Sequence, residues 1–111
     1  MSAVCVYCAS GRVEQRYLDL AAEVGGALAR AGHVTVSGGG NISMMGALAE
    51  AARAAGGTTI GIIPRALMER EVADLGADEL VITETMRERK RMMDERSDAF
   101  ITLPGGIGTL E

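Results

Sequence analysis

Apolar and polar residues alternate along this chain in blocks. Ala3 to Ala9 is a continuous apolar run and predicts a first strand. The next stretch, "GRVEQRYLDLAAEVGGALARAG", places Leu18, Ala21, Ala22, Gly25, Leu28 and Ala29 on one face of a helix, with Gly32 as a stop. His33 to Ser37 predicts a second, short strand. Gly38-Gly39-Gly40 follows, then a helix from about Ile42 to Ala55 with Met45, Leu48, Ala49 and Ala52 on one side, ended by Gly56-Gly57. "TTIGIIP" reads as a third strand that Pro64 terminates. Residues 65–78 read as a loop with a helical turn, and "ELVIT" as a fourth strand. Thr85 and Glu88 have capping-box spacing and open a helix that runs to about Ser97. "DAFITL" is the fifth strand, and Pro104 begins a Gly-rich turn.

Strands that alternate with helices and are apolar almost throughout predict a parallel sheet covered on both faces. The expected fold is therefore α/β: a Rossmann-like single domain over residues 1–111, with about five strands. It is expected to be incomplete at the C-terminus, because the last turn opens a helix with no residues left to form it. Ligands of such sheets lie at the carboxyl ends of the strands. Ala9-Ser10-Gly11, the triple Gly, Pro64 and the final turn all fall there.

Composition narrows the chemistry. The core must come from Ala, Val, Ile, Leu and Met, since the chain holds one Phe, two Tyr and no Trp. A net charge of −4 argues against general nucleic-acid binding. No apolar run has the length of a membrane span, and the N-terminal "MSAVCVYCAS" lacks a basic leader, so the expected location is cytoplasmic. Cys5 and Cys8 form a nominal C-x-x-C, but on a strand residues three apart face opposite sides. With a single His in the chain, His33, no metal site and no cofactor are expected.

Two features carry candidate function. The Gly-rich turns at Gly38–Gly40 and Gly105–Gly108 offer backbone amides and helix dipoles suited to a phosphate, with Thr109 adding a hydroxyl. Neither is a dinucleotide fingerprint or a Walker A loop. The segment "TMRERKRMMDERS" has four acids and five bases between Glu84 and Arg96, which predicts mostly a solvated, self-paired face. Its other face lines up Met86, Arg89, Lys90 and Met93, and so sets two cations beside an apolar stripe at the ligand edge. Lys90 is the only Lys in the chain, which disfavours pyridoxal-phosphate chemistry.

Taken together, "CVYCASG", "SGGGNISMMG", "IIPRALMEREV", "MRERKRMM" and "PGGIGTLE" resemble the LONELY GUY (LOG) family of cytokinin-activating phosphoribohydrolases. Older descriptions call many of its members "possible lysine decarboxylase". The resemblance spans essentially the whole chain, with Ser43 standing where Gly is more usual. It implies hydrolysis of the N-glycosidic bond of a cytokinin nucleoside 5′-monophosphate, or an AMP-like nucleotide, to free base and ribose 5-phosphate. It implies Arg89 as a catalytic residue. It implies a substrate site drawn from Ser10, Gly39, Gly40, Met45, Glu71, Lys90, Gly105, Gly106, Ile107, Gly108, Thr109, Leu110 and Glu111. The family's carboxylate for the ribose and the attacking water would be the residue after Glu111. This reads as a truncated member, with the 111-residue form expected to be inactive. A homodimer is implied for the full-length form. Two alternatives stay open: a non-catalytic nucleotide or molybdenum-cofactor carrier on the same fold, and a fragment without activity. Lysine decarboxylation is disfavoured by the Lys count.

Overall fold

The fold was obtained as a computed structural model, which describes residues 2–105. Five strands are present: β1 (Ala3–Tyr7), β2 (Val34–Ser37), β3 (Thr59–Pro64), β4 (Glu79–Thr83) and β5 (Ala99–Thr102). Three helices accompany them: α1 (Gln15–Arg30), α2 (Ser43–Ala54) and α3 (Met86–Glu95), with a single 3₁₀ turn at Arg65–Leu67. The strands form one sheet in the order β4-β3-β2-β1-β5, and every neighbouring pair is parallel. This bears out the expected α/β class.

The order has a direct consequence. The chain steps outward from β1 to β4 and then returns to the far side of β1. Crossovers are right-handed, so reversing the direction puts the connecting helix on the opposite face. The packing agrees. Val4, Val6 and Leu103 pack with Ala21 of α1 and with Met44 and Leu48 of α2. Cys5, Val36 and Ile62 pack with Met93 of α3 on the other side. The alternation within β1 therefore feeds two cores, and Cys5 and Cys8 fall on opposite ones. Sheets of this kind bind ligands where the strand order reverses, which here is beyond the carboxyl ends of β1 and β5.

The helices meet their expected faces with adjustments. In α1 the fully buried positions are Ala21, Gly25 and Gly26, while Leu18, Leu28 and Ala29 are only partly buried. A Cβ on Gly25 would run into the Leu48 carbonyl, so α1 and α2 touch backbone to backbone. Thr85 caps α3 by accepting a hydrogen bond from the Glu88 amide at 3.1 Å. The reciprocal half of the box differs from expectation: the Glu88 carboxylate lies 3.5 Å from the Thr85 hydroxyl.

Two sequence expectations are corrected. The α3 charges do not pair among themselves. Arg96 reaches across to Glu79 of β4, at 2.7 and 3.0 Å, because the planar fork matches a carboxylate better than an i,i+4 neighbour allows. The strands are also not buried throughout. β4 and β5 are the sheet edges among the described residues, and Ile82 and Phe100 stand 39% and 46% exposed. Among the described residues no helix is long and apolar enough to cross a membrane.

The α1–α2 contact gives a test. Gly25→Ala should destabilise the protein by about 1–3 kcal/mol through overpacking against a carbonyl that cannot move away. Gly26→Ala meets only the mobile Arg30 guanidinium, at 2.9 Å, and should be neutral or stabilising by up to about 1 kcal/mol from helix propensity. Urea denaturation of the two variants checks this, and equal effects would mean the helices do not cross at Gly25.

Candidate functional site

The site begins with Arg89. One turn beyond it on α3, Met93 is 4% exposed and anchors the helix in the core beneath the sheet. That anchor forces Arg89 to run along the sheet rather than into water, and the residue is only 8% exposed. A buried guanidinium must be paired and hydrogen-bonded. Its Nε donates to the Ile62 carbonyl at 2.9 Å. Its Nη2 donates to the Gly38 carbonyl and, at 2.7 Å, to Glu71 Oε1. Its Nη1 meets, among the described residues, only the Met86 sulfur at 3.9 Å. Three N–H groups are thus consumed by oxygens of the protein, and Nη1 is left with the Met86 sulfur.

Glu71 completes the pair. Its residue is 8% exposed, and its second oxygen lies 3.4 Å from the Ser10 hydroxyl, which donates to it. Ser10, Gly38, Ile62, Glu71 and Arg89 therefore gather at one place, although they come from the ends of β1, β2 and β3, the 65–78 connection and α3.

The triple Gly explains how the backbone can come so close. A Cβ on Gly38 would strike the Arg89 guanidinium. Gly39 has φ +80° and lies against β3, where a Cβ would sit 3.0 Å from that of Ile63. A Cβ on Gly40 would lie 2.8 Å from the Met45 methyl and 2.9 Å from the Glu71 carbonyl. All three glycines are buried, so their missing side chains are used for packing within the protein. Met45, 4% exposed, packs beneath them.

The other expected residues are placed as follows. Lys90 is exposed, not on the buried stripe. The stripe runs through Arg89 and Met93 with Met92 and Arg96 partly buried. This is a rotation of about 60° from the face drawn through Met86 and Lys90. Gly105 stands past the carboxyl end of β5, where a Cβ would collide with Met44. Gly106, Ile107, Gly108, Thr109, Leu110 and Glu111 lie outside the described residues.

Some participants were not read from the sequence. A cleft of about 320 Å³ adjoins Ser10 and is lined also by Arg12, Val13, Leu18, Ile42 and Ser43. Ser43 has φ +54°, and its hydroxyl donates to the Gly11 carbonyl. Its place in a position where Gly is more usual was the available signal. The Asn41 amide donates to the carbonyls of Glu71, at 3.0 Å, and Val72, at 2.7 Å. Nothing in the sequence marks Val72, whose φ is +52°.

The cysteines are not nucleophiles. Burial pushes the Cys5 thiol up, and burial followed by the neighbouring Cys5 pushes Cys8 up to about 12. Both stay protonated near neutrality.

Comparison with known proteins fits this arrangement. A profile of the family described as "Possible lysine decarboxylase" matches residues 45–111, and so includes Glu71 and Arg89. The chain belongs to this family. Its relatives include the cytokinin riboside 5′-monophosphate phosphoribohydrolase of Mycobacterium tuberculosis. It is 58% identical over 108 residues, which cover 97% of this chain and 58% of that protein. A probable enzyme of the same name from Oryza sativa subsp. japonica is 47% identical, with 97% of this chain and 48% of that protein covered. The chain thus spans about half to three-fifths of these relatives' lengths. Among solved structures, the molybdenum cofactor binding protein of Rippkaea orientalis superposes with a TM-score of 0.82 at 25% identity, over 98% of this chain and 66% of that one.

Two predictions follow from the buried groups. Arg89→Lys should lower stability by about 3 kcal/mol, because an ammonium cannot span Gly38, Ile62 and Glu71 and leaves the carboxylate under-paired. An unchanged urea midpoint would contradict the pairing. Cys8 gives a pH dependence. Its folded pKa is raised, so the protonated thiol stabilises the fold fully below the unfolded value of 9.0, and that contribution is lost as pH rises toward about 12. Cys8→Ala should flatten this part of the stability–pH curve between pH 9 and 12, measured by denaturation at several pH values.

Proposed function

We propose that this chain carries part of the active site of an enzyme that hydrolyses the N-glycosidic bond of a cytokinin nucleoside 5′-monophosphate, or a related AMP-like nucleotide, to free base and ribose 5-phosphate. The observation that carries the reading is the buried Arg89–Glu71 pair at the carboxyl edge of the sheet. It lies inside the matched family region, in a chain 58% identical to a relative with that activity in its name.

In this reading the protein spends most of Arg89 on fixing its plane and leaves Nη1 for the substrate, where it stabilises negative charge or orients the reacting oxygen. Glu71 is the counter-ion of Arg89 and is also approached by Ser10, so its oxygens are engaged. The carboxylate that supports an oxocarbenium-like ribose and activates water is therefore a different one. In this reading the 5′-phosphate is held near Gly105, beyond the carboxyl ends of β1 and β5, and Lys90 supplies a second positive charge from the exposed side of α3. Ser10 borders the ligand, while Gly39, Gly40 and Met45 form the packed floor behind it.

The test uses the full protein. A nucleoside monophosphate should bind more tightly than its nucleoside by calorimetry, and free base should accumulate. Arg89→Ala should reduce kcat/KM, per folded enzyme, by about 100-fold or more. Arg87→Ala, on the exposed side of the same helix, should change it by less than about threefold. Equal, small losses would overturn the assignment of Arg89.

A second reading is a carrier of nucleotide or molybdenum cofactor, supported by the fold likeness to the Rippkaea orientalis protein. A carrier would return its ligand unchanged, whereas the hydrolase releases base from it. We further propose a cytoplasmic homodimer that binds neither nucleic acid nor membrane. The dimer is what the family resemblance implies, and the net charge of −4 supports the absence of nucleic acid. A monomer by sedimentation at micromolar concentration would remove the dimer.

A further inference from the structure

We propose that Asp74 and Arg53 are positioning residues for Glu71: their ion pair pins the 71–74 segment and so sets where the Glu71 carboxylate meets Arg89. The kinetic consequences rest on the hydrolase reading above; the structural consequences rest on geometry alone.

Glu71 lies on the connection between β3 and β4, past the turn at Arg65–Leu67. Backbone bonds within the connection, from the Glu71 amide to the Leu67 carbonyl and from the Ala73 amide to the Met68 carbonyl, each at 2.9 Å, shape the turn, but they do not tie that turn to the rest of the fold. The next residue makes placing the carboxylate harder. Val72 has φ +52°, a left-handed conformation that β-branched residues strongly disfavour, so the surroundings must impose it.

The restraints can be traced. On one side, the segment pairs antiparallel with the triple-Gly turn. The Asn41 amide donates to Glu71 and Val72, the Asp74 amide donates to the Gly39 carbonyl at 2.8 Å, and Gly40 bridges Ala73. On the other side stands the Asp74 carboxylate, with a side chain only 4% exposed. It accepts from Arg53 Nη1 at 2.7 Å and from the Gly76 amide at 3.2 Å. Arg53 belongs to the last turn of α2 and also lies 3.4 Å from the Thr59 hydroxyl at the start of β3. The strained turn is thus held between the β2 end and the α2 end, with Glu71 at one limit and Asp74 at the other. Asp74 itself makes no contact with Arg89 or Ser10. Without the pair, Val72 can return to ordinary backbone, the bridge to Gly40 opens and Glu71 withdraws from Arg89.

The experiment uses the full protein with Asp74→Ala, Asp74→Asn, Arg53→Ala and the double variant Asp74→Ala/Val72→Gly. Base release gives kcat and KM, and amide hydrogen exchange reports on Asn41. In Asp74→Ala and Arg53→Ala, kcat should fall about 10–100-fold with KM little changed. The Asn41 amide should lose protection while Thr35, whose amide bonds the Thr58 carbonyl at 3.0 Å, keeps it. Val72→Gly should restore much of the lost kcat, because Gly accepts the left-handed turn without the clamp. A general loss of stability would instead speed exchange everywhere and leave kcat per folded molecule intact. Asp74→Asn keeps the volume and takes the place of Asp74→Ala should that variant fail to fold. Unchanged protection at Asn41, or lost protection with unchanged kcat, overturns the proposal. Should the parent protein release no base, the functional reading falls and exchange at Asn41 alone decides: lost protection supports the clamp, and retained protection overturns it.

Discussion

A charged guanidinium under a parallel sheet is the constraint around which this structure is arranged. Arg89 cannot reach bulk water once Met93 is seated in the core, so its charge must be met within the protein. Main-chain carbonyls at Gly38 and Ile62 take two of its donors, and Glu71 supplies the opposite charge. Each partner imposes a further condition. The Gly38 carbonyl is reachable only without a side chain there, the Ile62 carbonyl within β3 must lie at the right level, and Glu71 must be brought in on the connection that follows the turn at Arg65–Leu67. Buried pairs of this kind contribute little net stability, because desolvation offsets attraction, but breaking one half is costly. The pair therefore works as a geometric specification more than as a source of free energy.

Much of the fold was legible because its signals are local or periodic. Continuous apolar runs such as "AVCVY" and "TIGIIP" mark strands buried on both faces, and their alternation with helical stretches fixes the parallel class. The Thr85 cap was readable from spacing alone. What escaped was set by position in the sheet. "ELVIT" and "AFIT" have the same apolar character as the inner strands, yet they lie at the edges among the described residues, where "ELVIT" is partly and "AFIT" largely exposed. Order in a sheet is a long-range property that composition does not encode. The rotation of α3 belongs to the same class: periodicity allows a face through Met86, Arg89, Lys90 and Met93, but packing against Cys5, Val36 and Ile62 turns it toward Met92.

Of the residues the sequence put forward, Ser10, Gly39, Gly40, Met45, Glu71 and Arg89 are brought together in the structure, while Lys90 is not, and the contacts they make were not readable. Triple Gly after a strand suggests an anion cradle, and the structure uses the missing side chains for something else. They admit Arg89, Ile63, Met45 and Glu71 into space that side chains would fill. The two readings share one sequence signal, since in both Gly is needed for close approach. They differ in what approaches, and that depends on residues up to 51 positions away along the chain. The left-handed residues Ser43 and Val72 differ in this respect. Ser43 stands where Gly is more usual, a signal that the sequence carries, and its hydroxyl donates to the Gly11 carbonyl. Val72 carries no such signal and its side chain can make no such bond, so its conformation rests on backbone bonds: the Ala73 amide to the Met68 carbonyl within the turn, and the Asn41 amide to the Val72 carbonyl from outside it.

Stability and chemistry consequently overlap at Arg89 but separate at its Nη1. Nε and Nη2 are consumed in holding the guanidinium against β2, β3 and Glu71, and any change to them disturbs the fold before it disturbs a reaction. Nη1 faces the half-exposed Met86 and carries none of that load among the described residues. A planar cation clamped on one side and open on the other is pre-organised. Its orientation is settled during folding, so little reorganisation remains when negative charge arrives or develops nearby. Glu71 tempers the arrangement, since a counter-ion at 2.7 Å lowers the field that a ligand would feel. Any group that binds there must therefore bring charge or hydrogen-bonding capacity of its own to Nη1.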